Sequence, residues 1–144
     1  NIKSIFIGAP FANDCAEPTC EGIVFKGSVA HDDIPQYVNC GDVFVLPTLK
    51  EGCCNAIVEA LATCKPVISS NGAFNDDILN EENSIRVDPM NVEEIAKAIK
   101  ILKDSPDKRE KMAEYLSSYR SNYAIEGRAQ NIINFMNRQI KKKF

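Results

Sequence analysis

The stretch that decides the fold is Glu51-Gly52-Cys53-Cys54-Asn55-Ala56-Ile57-Val58-Glu59-Ala60-Leu61-Ala62. It lies between two short apolar runs that are typical of strands, Asp42 to Leu46 and Pro66 to Ser69. Similar runs bounded by turn residues are Ile2 to Ile7, Ile23 to Phe25 and Ser84 to Val87. Short strands that alternate with helices favour a parallel sheet covered on both faces, because parallel neighbours need crossover connections. The sequence therefore predicts an α/β, Rossmann-like domain.

Helix signals fill the segments between and after these strands. Asn91, with Glu94 three residues later, forms a start that resembles a capping box. Ser105-Pro106 opens the following helix, because proline is well tolerated in a first turn. Further helices are expected from Asp32 or Asp33 to Val38 and from Ile125 to Lys142.

Two glutamates frame the central stretch in different settings. Glu51 precedes a glycine and Asn55, a helix-capping residue type, so we expect Glu51 in a loop just ahead of a helix N-terminus. Glu59 is the only polar residue from Ala56 to Ala62. A helix that is apolar on nearly every side is normally buried, and a buried charge is costly unless a ligand binds it or it lines a cleft. The pattern therefore predicts a buried Glu59 carboxylate with a functional partner.

Composition limits the function classes. With 144 residues and 44% apolar content, the chain suits one globular domain with a sizeable core and is too short for two ordinary ones. The net charge of -3 gives no reason to expect nucleic acid or an anionic surface as partner. No run approaches the roughly eighteen apolar residues of a transmembrane helix, and nothing at Asn1 resembles a signal peptide. Because the chain lacks an initial Met and enters a strand almost at once, we expect an excised piece of a longer protein.

The six cysteines stand at positions 15, 20, 40, 53, 54 and 64. They show no paired Cys-x-x-Cys spacing, and only one histidine, His31, is available to complete a metal site. We therefore expect structural thiols in a reducing compartment, no metal site and a cytoplasmic location.

The predicted site lies at the carboxyl ends of the strands, where helix N-termini direct their amides in sheets of this kind. Glu51, Gly52, Cys53 and Cys54 follow the third strand, so their amides suit a phosphate or a sugar hydroxyl. Gly27-Ser28-Val29 follows the second strand as a small-residue loop that lets a ligand approach the backbone. No Gly-x-Gly-x-x-Gly follows the first strand, which disfavours a nicotinamide dinucleotide site.

Several of these motifs together resemble a known family. They are Asp42-Val43-Phe44-Val45-Leu46-Pro47-Thr48, Glu51-Gly52, Asn55, Glu59-Ala60-Leu61-Ala62 and Lys65-Pro66-Val67-Ile68. This pattern is similar to the C-terminal half of the retaining glycosyltransferases of family 4, also called group 1, which have the GT-B architecture. Their signature is two glutamates with seven residues between them, matched here by Glu51 and Glu59, and the resemblance extends from the first strand to the last helix.

The resemblance implies a role for each matching residue. Glu59 accepts hydrogen bonds from the ribose hydroxyls of a nucleotide sugar, which satisfies the acceptors of a buried carboxylate. Glu51 lies beside the transferred sugar and is the candidate catalytic residue. The other donor-binding residues, which hold the sugar and diphosphate through amides or lie beside the base, are Gly52, Cys53, Cys54, Asn55, Ser28 and Val29.

The resemblance also implies what the whole enzyme does. Residues 1–144 would be a single nucleotide-sugar-binding domain of a two-domain enzyme that makes polysaccharides or glycoconjugates. The donor is a nucleoside-diphosphate sugar, and the family requires no metal. A preceding strand-helix unit with an Arg and a Lys for the diphosphate, and an N-terminal acceptor domain, are expected before Asn1, so we expect no transfer by this chain alone. The helix in residues 124–144 would pack toward that domain, and the full enzyme would be cytoplasmic or at the inner face of the membrane.

Two departures from the family pattern stand out. Cys64 occupies a position where the family usually has Gly. Gly72-Ala73-Phe74-Asn75-Asp76 replaces a Gly-Gly-x-x-Glu pattern. Gly72 and Asp76 are therefore candidates for a sugar pocket of a different shape.

The residues also permit plainer interpretations. Glu59 is alternatively a structural carboxylate paired with a Lys or with backbone amides, and Glu51 alternatively favours the helix dipole. Asp76 is equally suited to cap a helix, and His31 fits a surface or capping side chain better than a catalyst. Lys141 to Lys143 fit a solvated helix end, with contact to a membrane surface as the less favoured alternative. The alternative functions are a non-catalytic nucleotide- or sugar-binding module and, more weakly, an oxidoreductase.

Overall fold

The computed structural model describes residues 1–8, 20–52 and 54–141, and these contain five short strands and five α-helices. The strands are β1 (Ser4–Phe6), β2 (Ile23–Phe25), β3 (Phe44–Leu46), β4 (Val67–Ser70) and β5 (Ser84–Val87). The helices are α1 (Ile34–Cys40), α2 (Asn55–Ala62), α3 (Val92–Asp104), α4 (Pro106–Tyr123) and α5 (Ile125–Lys141), with 3₁₀ turns at His31–Asp33 and Ala73–Asn75. The predicted bounds differ from these by two residues or fewer.

The chain divides into two units, Asn1–Tyr37 and Val38–Phe144. In the first unit β1 and β2 pair in parallel, with the rings of Phe6 and Phe25 stacked at 4.9 Å. The sequence predicts a buried β1, but Ile5 and Phe6 are 46% and 50% exposed. That prediction is wrong because a parallel strand is buried only where other layers cover its faces, and within the described residues of this unit β2 pairs with one edge of β1.

The second unit contains a parallel sheet in the order β3-β4-β5, with the central strand β4 buried along its whole length. Val67 of β4 packs in a cluster with Leu61 of α2, whereas Ile68 packs in a cluster with Leu102 of α3. Because successive side chains of a strand point to opposite faces, the two clusters lie on opposite sides of the sheet. The predicted α/β fold with helices on both faces is therefore confirmed, although the described strands form two sheets rather than one.

The last two helices differ in burial. α4 contributes Leu116 to the α2 cluster and Met112 to the α3 cluster. α5 has no buried residue, and its exposed apolar side chains are Ile125, Ile132, Ile133, Phe135, Met136 and Ile140. Lys142 and Lys143 of the predicted solvated end lie outside the described residues. Among the helices described, none is long and apolar enough to cross a membrane.

Helix α2 ends in a Schellman motif. The N–H of Cys64 donates to the carbonyl of Leu61 at 3.0 Å, and the N–H of Lys65 donates to the carbonyl of Ala60 at 3.0 Å. Cys64 has a φ of 59°, in the left-handed region that favours glycine. This conformation gives a physical reason why a glycine suits the position.

Candidate functional site

Two loops at the carboxyl end of the second sheet define the candidate site. Because β3, β4 and β5 are parallel and in register, with Leu46 beside Ser69 and Ser70 beside Val87, their last residues lie along one edge. The loop after β3 leads into α2, and the loop after β4 contains the Ala73–Asn75 turn. Ligands of open parallel sheets bind at this edge.

The loop after β3 brings Glu51 and Gly52 to the start of α2. Glu51 is half-buried and Gly52 is exposed, whereas Cys53 lies outside the described residues. Cys54 is the N-cap residue, with φ -78° and ψ 100°, and it is 8% exposed. The amides of the first helical turn have no intrahelical acceptors, so they are available to an anion or a hydroxyl.

Asn55 does not cap the helix as its residue type indicates. It is the first helical residue, its side chain is exposed, and Cys54 at the N-cap makes no side-chain capping bond. The preference for Asn at an N-cap is local, whereas burial of Cys54 in the core cluster fixes where this helix begins. The exposed side chain of Asn55 therefore lies at the entrance of the site and is not used to cap the helix.

Glu59 follows Asn55 by one helical turn on the same side of α2. The residues Asn55, Glu59 and Ala62 form an incompletely buried stripe, which we call the open stripe of α2. The core-facing residues of the helix are Ile57, Val58, Ala60 and Leu61. Glu59 is thus half-buried, and the prediction that it is fully buried is wrong. The error arose because Ala62, an apolar residue, belongs to the open stripe and made that side of the helix look apolar in the sequence.

Neither glutamate of the signature has a protein partner in the described part of the chain. No hydrogen bond or ion pair joins the carboxylate of Glu51 or of Glu59 to residues 1–8, 20–52 or 54–141. Thr48, in the same loop as Glu51, has a buried Oγ1 that also lacks a partner among these residues. The site therefore holds polar groups whose bonding capacity remains for a ligand.

The loop after β4 is held by a buried polar network. Ser69 and Ser70 are 0% and 1% exposed, and their hydroxyls donate to the carbonyls of Leu46 and Thr48, respectively. Asn75, 1% exposed, donates to the Ser70 carbonyl at 3.1 Å and to the Ser69 hydroxyl at 3.4 Å. These bonds tie the loop after β4 to β3 and its following loop.

Gly72 and Asp76, the candidate sugar-pocket residues, both lie in this loop. A Cβ added to Gly72 would collide with the ring of Phe74, so the glycine permits the local turn. Asp76 does not begin a helix but follows the 3₁₀ turn, and its Oδ1 lies 2.6 Å from the guanidinium of Arg86. The structure thus places Gly72 and Asp76 after the carboxyl end of β4, the strand that pairs with β3, and it pairs Asp76 with a cation.

Ser28 and Val29 belong to the first unit and follow the carboxyl end of β2. Ser28 is exposed and Val29 is half-buried. The preceding Gly27 has a φ of 65°, and its carbonyl accepts from the N–H of Gly8 at 2.8 Å. This glycine turn presents the backbone of the loop at a strand end, as the sequence predicts.

The sequence did not predict three other polar residues of this edge, which are Arg86, Ser69 and Ser70. A usable signal was present, because Arg86 interrupts the apolar strand Ser84–Val87. The two serines of β4 were not predicted as site residues, because they are small and belong to a run that is otherwise apolar. His31, by contrast, is exposed, which confirms its prediction as a surface side chain. Within the described ranges, no group of three His, Cys, Asp or Glu residues is placed to hold a metal ion.

Comparison with solved structures identifies the fold to which this arrangement of strands and loops belongs. Sucrose-phosphate synthase (tll1590) from Thermosynechococcus elongatus superposes with a TM-score of 0.65 at 22% identity, over 86% of this chain and 31% of that chain. The likeness shows that the α/β fold is similar to the GT-B glycosyltransferase fold.

The family follows from the sequence comparison. The model of the group 1 glycosyl transferases matches residues 1–104, and the chain belongs to this family. The chain is 28% identical over 97 residues to TuaC of Bacillus subtilis (strain 168), whose name describes a teichuronic acid biosynthesis glycosyltransferase; the match covers 67% of this chain and 24% of TuaC. It is 30% identical over 93 residues to the alpha-D-kanosaminyltransferase of Streptomyces kanamyceticus, covering 64% of this chain and 24% of that protein. The chain thus spans about a quarter of the length of these relatives.

Proposed function

We propose that this chain is the donor-binding half of a retaining glycosyltransferase, which moves a sugar from a nucleoside-diphosphate sugar to an acceptor. The observation that carries the proposal is the half-buried Glu59 carboxylate on the open stripe of α2, without a partner among the described residues. A carboxylate in that setting needs donors, and a ribose diol supplies two hydroxyls at the spacing of its two oxygens. Membership of the group 1 family supports the same role.

The other residues of the edge then have complementary tasks. Glu51 precedes the helix by four residues and orients the hydroxyls of the transferred sugar. We assign the amides of Gly52, Cys54 and Asn55 to the sugar and diphosphate, at the positive end of the helix dipole. The same role is proposed for the amide of Cys53, which lies outside the described residues. Gly72 and Asp76 belong to the sugar side of the site. The resemblance assigns contact with the base to Ser28 and Val29 of the first unit.

Catalysis by the complete enzyme depends on stabilising the departing diphosphate. Negative charge accumulates on that group as the bond to the sugar breaks, and fixed donors aimed at it lower the barrier. Helix α2 supplies part of this field, and the resemblance assigns the remainder to an Arg and a Lys outside residues 1–144. In this proposal the donor requires no metal.

The proposal extends to the setting of the enzyme. The relatives' names include teichuronic acid biosynthesis for TuaC and a kanosaminyl transfer for the Streptomyces protein. We place this chain in polysaccharide or glycoconjugate synthesis in the cytoplasm, or at the inner face of the membrane. An N-terminal acceptor domain of the same full-length chain would pack against the exposed apolar side chains of α5, which otherwise lack a covering layer in the described residues.

Titration of the chain with UDP, GDP, UDP-glucose and GDP-mannose by calorimetry tests the ribose assignment. Hydrogen bonds to a charged acceptor contribute about 1.5–3 kcal/mol, so Glu59→Ala should weaken nucleotide binding by about 10- to 100-fold. The 2′-deoxy form of the nucleotide that binds better should bind the wild type more weakly than its parent nucleotide does. To Glu59→Ala, the 2′-deoxy form and the parent nucleotide should bind equally well.

Glu93→Ala serves as the matched control, because Glu93 is an exposed carboxylate in the first turn of another helix, α3. It should leave nucleotide affinity unchanged. Since the Glu59 carboxylate has no partner within the described residues, Glu59→Ala should also melt at the wild-type temperature. Wild-type affinity in a folded Glu59→Ala chain would overturn the ribose assignment.

A further inference from the structure

The side chain of Arg86 links strand β5 to three points of the segment that follows β4. Its Nη1 lies 2.6 Å from Asp76 Oδ1, and its Nη2 donates to the Gly72 carbonyl at 2.8 Å. Its Nε makes a longer bond of 3.4 Å to the Ser70 carbonyl. All three guanidinium nitrogens are therefore engaged, and all three partners lie in or next to residues 71–76, which we call the β4 loop.

The β4 loop is fixed from its other side as well. The buried amide of Asn75 donates to the carbonyl of Ser70 at 3.1 Å, and the ring of Phe74 covers the position where Gly72 lacks a Cβ. The N–H of Asn71 donates to the carbonyl of Val87 at 2.9 Å. The β4 loop is thus held by hydrogen bonds at both ends, and the guanidinium of Arg86 bonds to Gly72 and Asp76 within it.

Formation of the strand does not by itself require an arginine at this position. The backbone of β5 pairs with β4 from Ser84 to Val87, and the neighbours Ile85 and Val87 supply its apolar packing. Partial burial of a guanidinium is costly, and it is compensated here by the two carbonyls and the Asp76 carboxylate. Every one of these compensating contacts goes to the β4 loop or to the residue before it, so the contribution of Arg86 is to the shape of that loop.

We propose that Arg86 is a positioning residue for the sugar-binding side of the site, acting through Asp76 and the β4 loop. The proposal rests on the proposed function, because it assumes that a nucleotide sugar occupies this edge. Asp76 then serves as the anchor of Arg86 more than as a ligand of the sugar. A loop held in its binding conformation before the ligand arrives avoids the ordering cost on binding.

The proposal predicts a selective effect on the sugar part of the donor. Arg86→Met keeps an unbranched apolar stem and removes all three polar contacts, so the β4 loop must be ordered during binding. Affinity for UDP-glucose or GDP-mannose, whichever binds the wild type better, should fall by about tenfold. Affinity for the corresponding bare diphosphate should stay within about twofold, because Glu59 and the α2 amides are unchanged.

Three further variants separate the contacts. Arg86→Lys retains the charge opposite Asp76 but cannot reach both carbonyls, so it should restore part of the sugar affinity. Asp76→Asn removes the ion pair and should resemble Arg86→Met in direction. Arg120→Met removes an exposed arginine on α4 and controls for the loss of one positive charge. Hydrogen exchange of the amides of residues 71–76, without ligand, should be about tenfold faster in Arg86→Met than in wild type and unchanged in Arg120→Met.

The outcomes distinguish this inference from the proposed function. If the wild type binds none of the diphosphates, the proposed function fails and the inference fails with it. If diphosphates bind through Glu59 but Arg86→Met leaves the ratio of sugar-nucleotide to diphosphate affinity unchanged, the inference alone is overturned. Unchanged exchange in the β4 loop overturns it independently of any ligand. Should Arg86→Met fail to fold, Arg86→Lys and Asp76→Asn supply both readouts.

Discussion

Cys64 shows how a single residue can depart from a family pattern at a cost in backbone energy. Its φ of 59° closes the Schellman motif of α2, a conformation that costs a residue with a Cβ about 1 kcal/mol or more. Its side chain also packs against the α2 core cluster, which offsets part of that cost. Strain and packing therefore have to be separated by comparing two substitutions rather than one.

We expect Cys64→Gly to be more stable than Cys64→Ala by about 1 kcal/mol, because both lose the thiol but only Gly relieves the left-handed strain. The difference is measured by urea unfolding. Glycine should have the opposite effect two residues earlier, within α2. There Ala62→Gly should lower the free energy of unfolding by about 1 kcal/mol, because glycine is a poorer helix former than alanine. A Cys64→Ala chain as stable as Cys64→Gly would show that φ at this residue does not limit stability.

The elements that carry the candidate site residues were predictable, but the surroundings of their side chains were less so. The spacing of Glu51 and Glu59 indicated the loop and helix that the structure shows. The partial burial of Glu59 was not predictable from the sequence pattern, because Ala62 fits both a core position and an open stripe. The role of Arg86 depends on contacts with Gly72 and Asp76, which are distant in sequence and leave no periodic signal.

At the scale of elements, the predicted N-terminal cap of α3 is present, but its glutamate bonds to a different residue than in a capping box. Asn91 Oδ1 accepts from the N–H of Glu94 at 3.1 Å, which confirms the predicted cap. In a reciprocal capping box the Glu94 carboxylate would accept from the N–H of Asn91. It accepts instead from the N–H of Asp88 at 2.8 Å, and thereby fixes the turn between β5 and α3.

The cap leads to a specific expectation. Asn91→Ala should lower the free energy of unfolding by about 1 kcal/mol, because the N–H of Glu94 loses its acceptor. Asn91→Ser supplies another acceptor oxygen and should stay within about 0.5 kcal/mol of wild type. Both values come from urea unfolding with an unchanged m value. Equal destabilisation by Ala and Ser would contradict a capping role.

The positions of strands and helices were predictable because each combines an apolar run with a local start or stop signal. The partition of five strands into two sheets was not, since pairing of β1 with β2 depends on contacts that periodicity does not encode. Exposure of β1 was missed for the same reason. An apolar run predicts that a strand has something to bury, and it does not identify what covers it.

At the scale of the whole molecule, α5 carries six exposed large apolar side chains among the described residues. Ile132, Met136 and Ile140 recur every four residues, so they form one side of the helix, which we call the α5 face. They are 59%, 56% and 55% exposed. An apolar face of this kind tends to be covered by another surface, and in the isolated chain a second copy is available.

We therefore expect the isolated chain to self-associate weakly through the α5 face. Burying a few such side chains contributes several kcal/mol, which the cost of association largely offsets. A net free energy of about -5 kcal/mol corresponds to a dissociation constant of about 0.2 mM, within reach of sedimentation velocity at high protein concentration. Met136→Lys, at the centre of the face, should keep the chain monomeric at that concentration. Asn131→Lys adds the same charge on another side of α5 and should associate like wild type. If Met136→Lys still associates, the α5 face is not the contact surface.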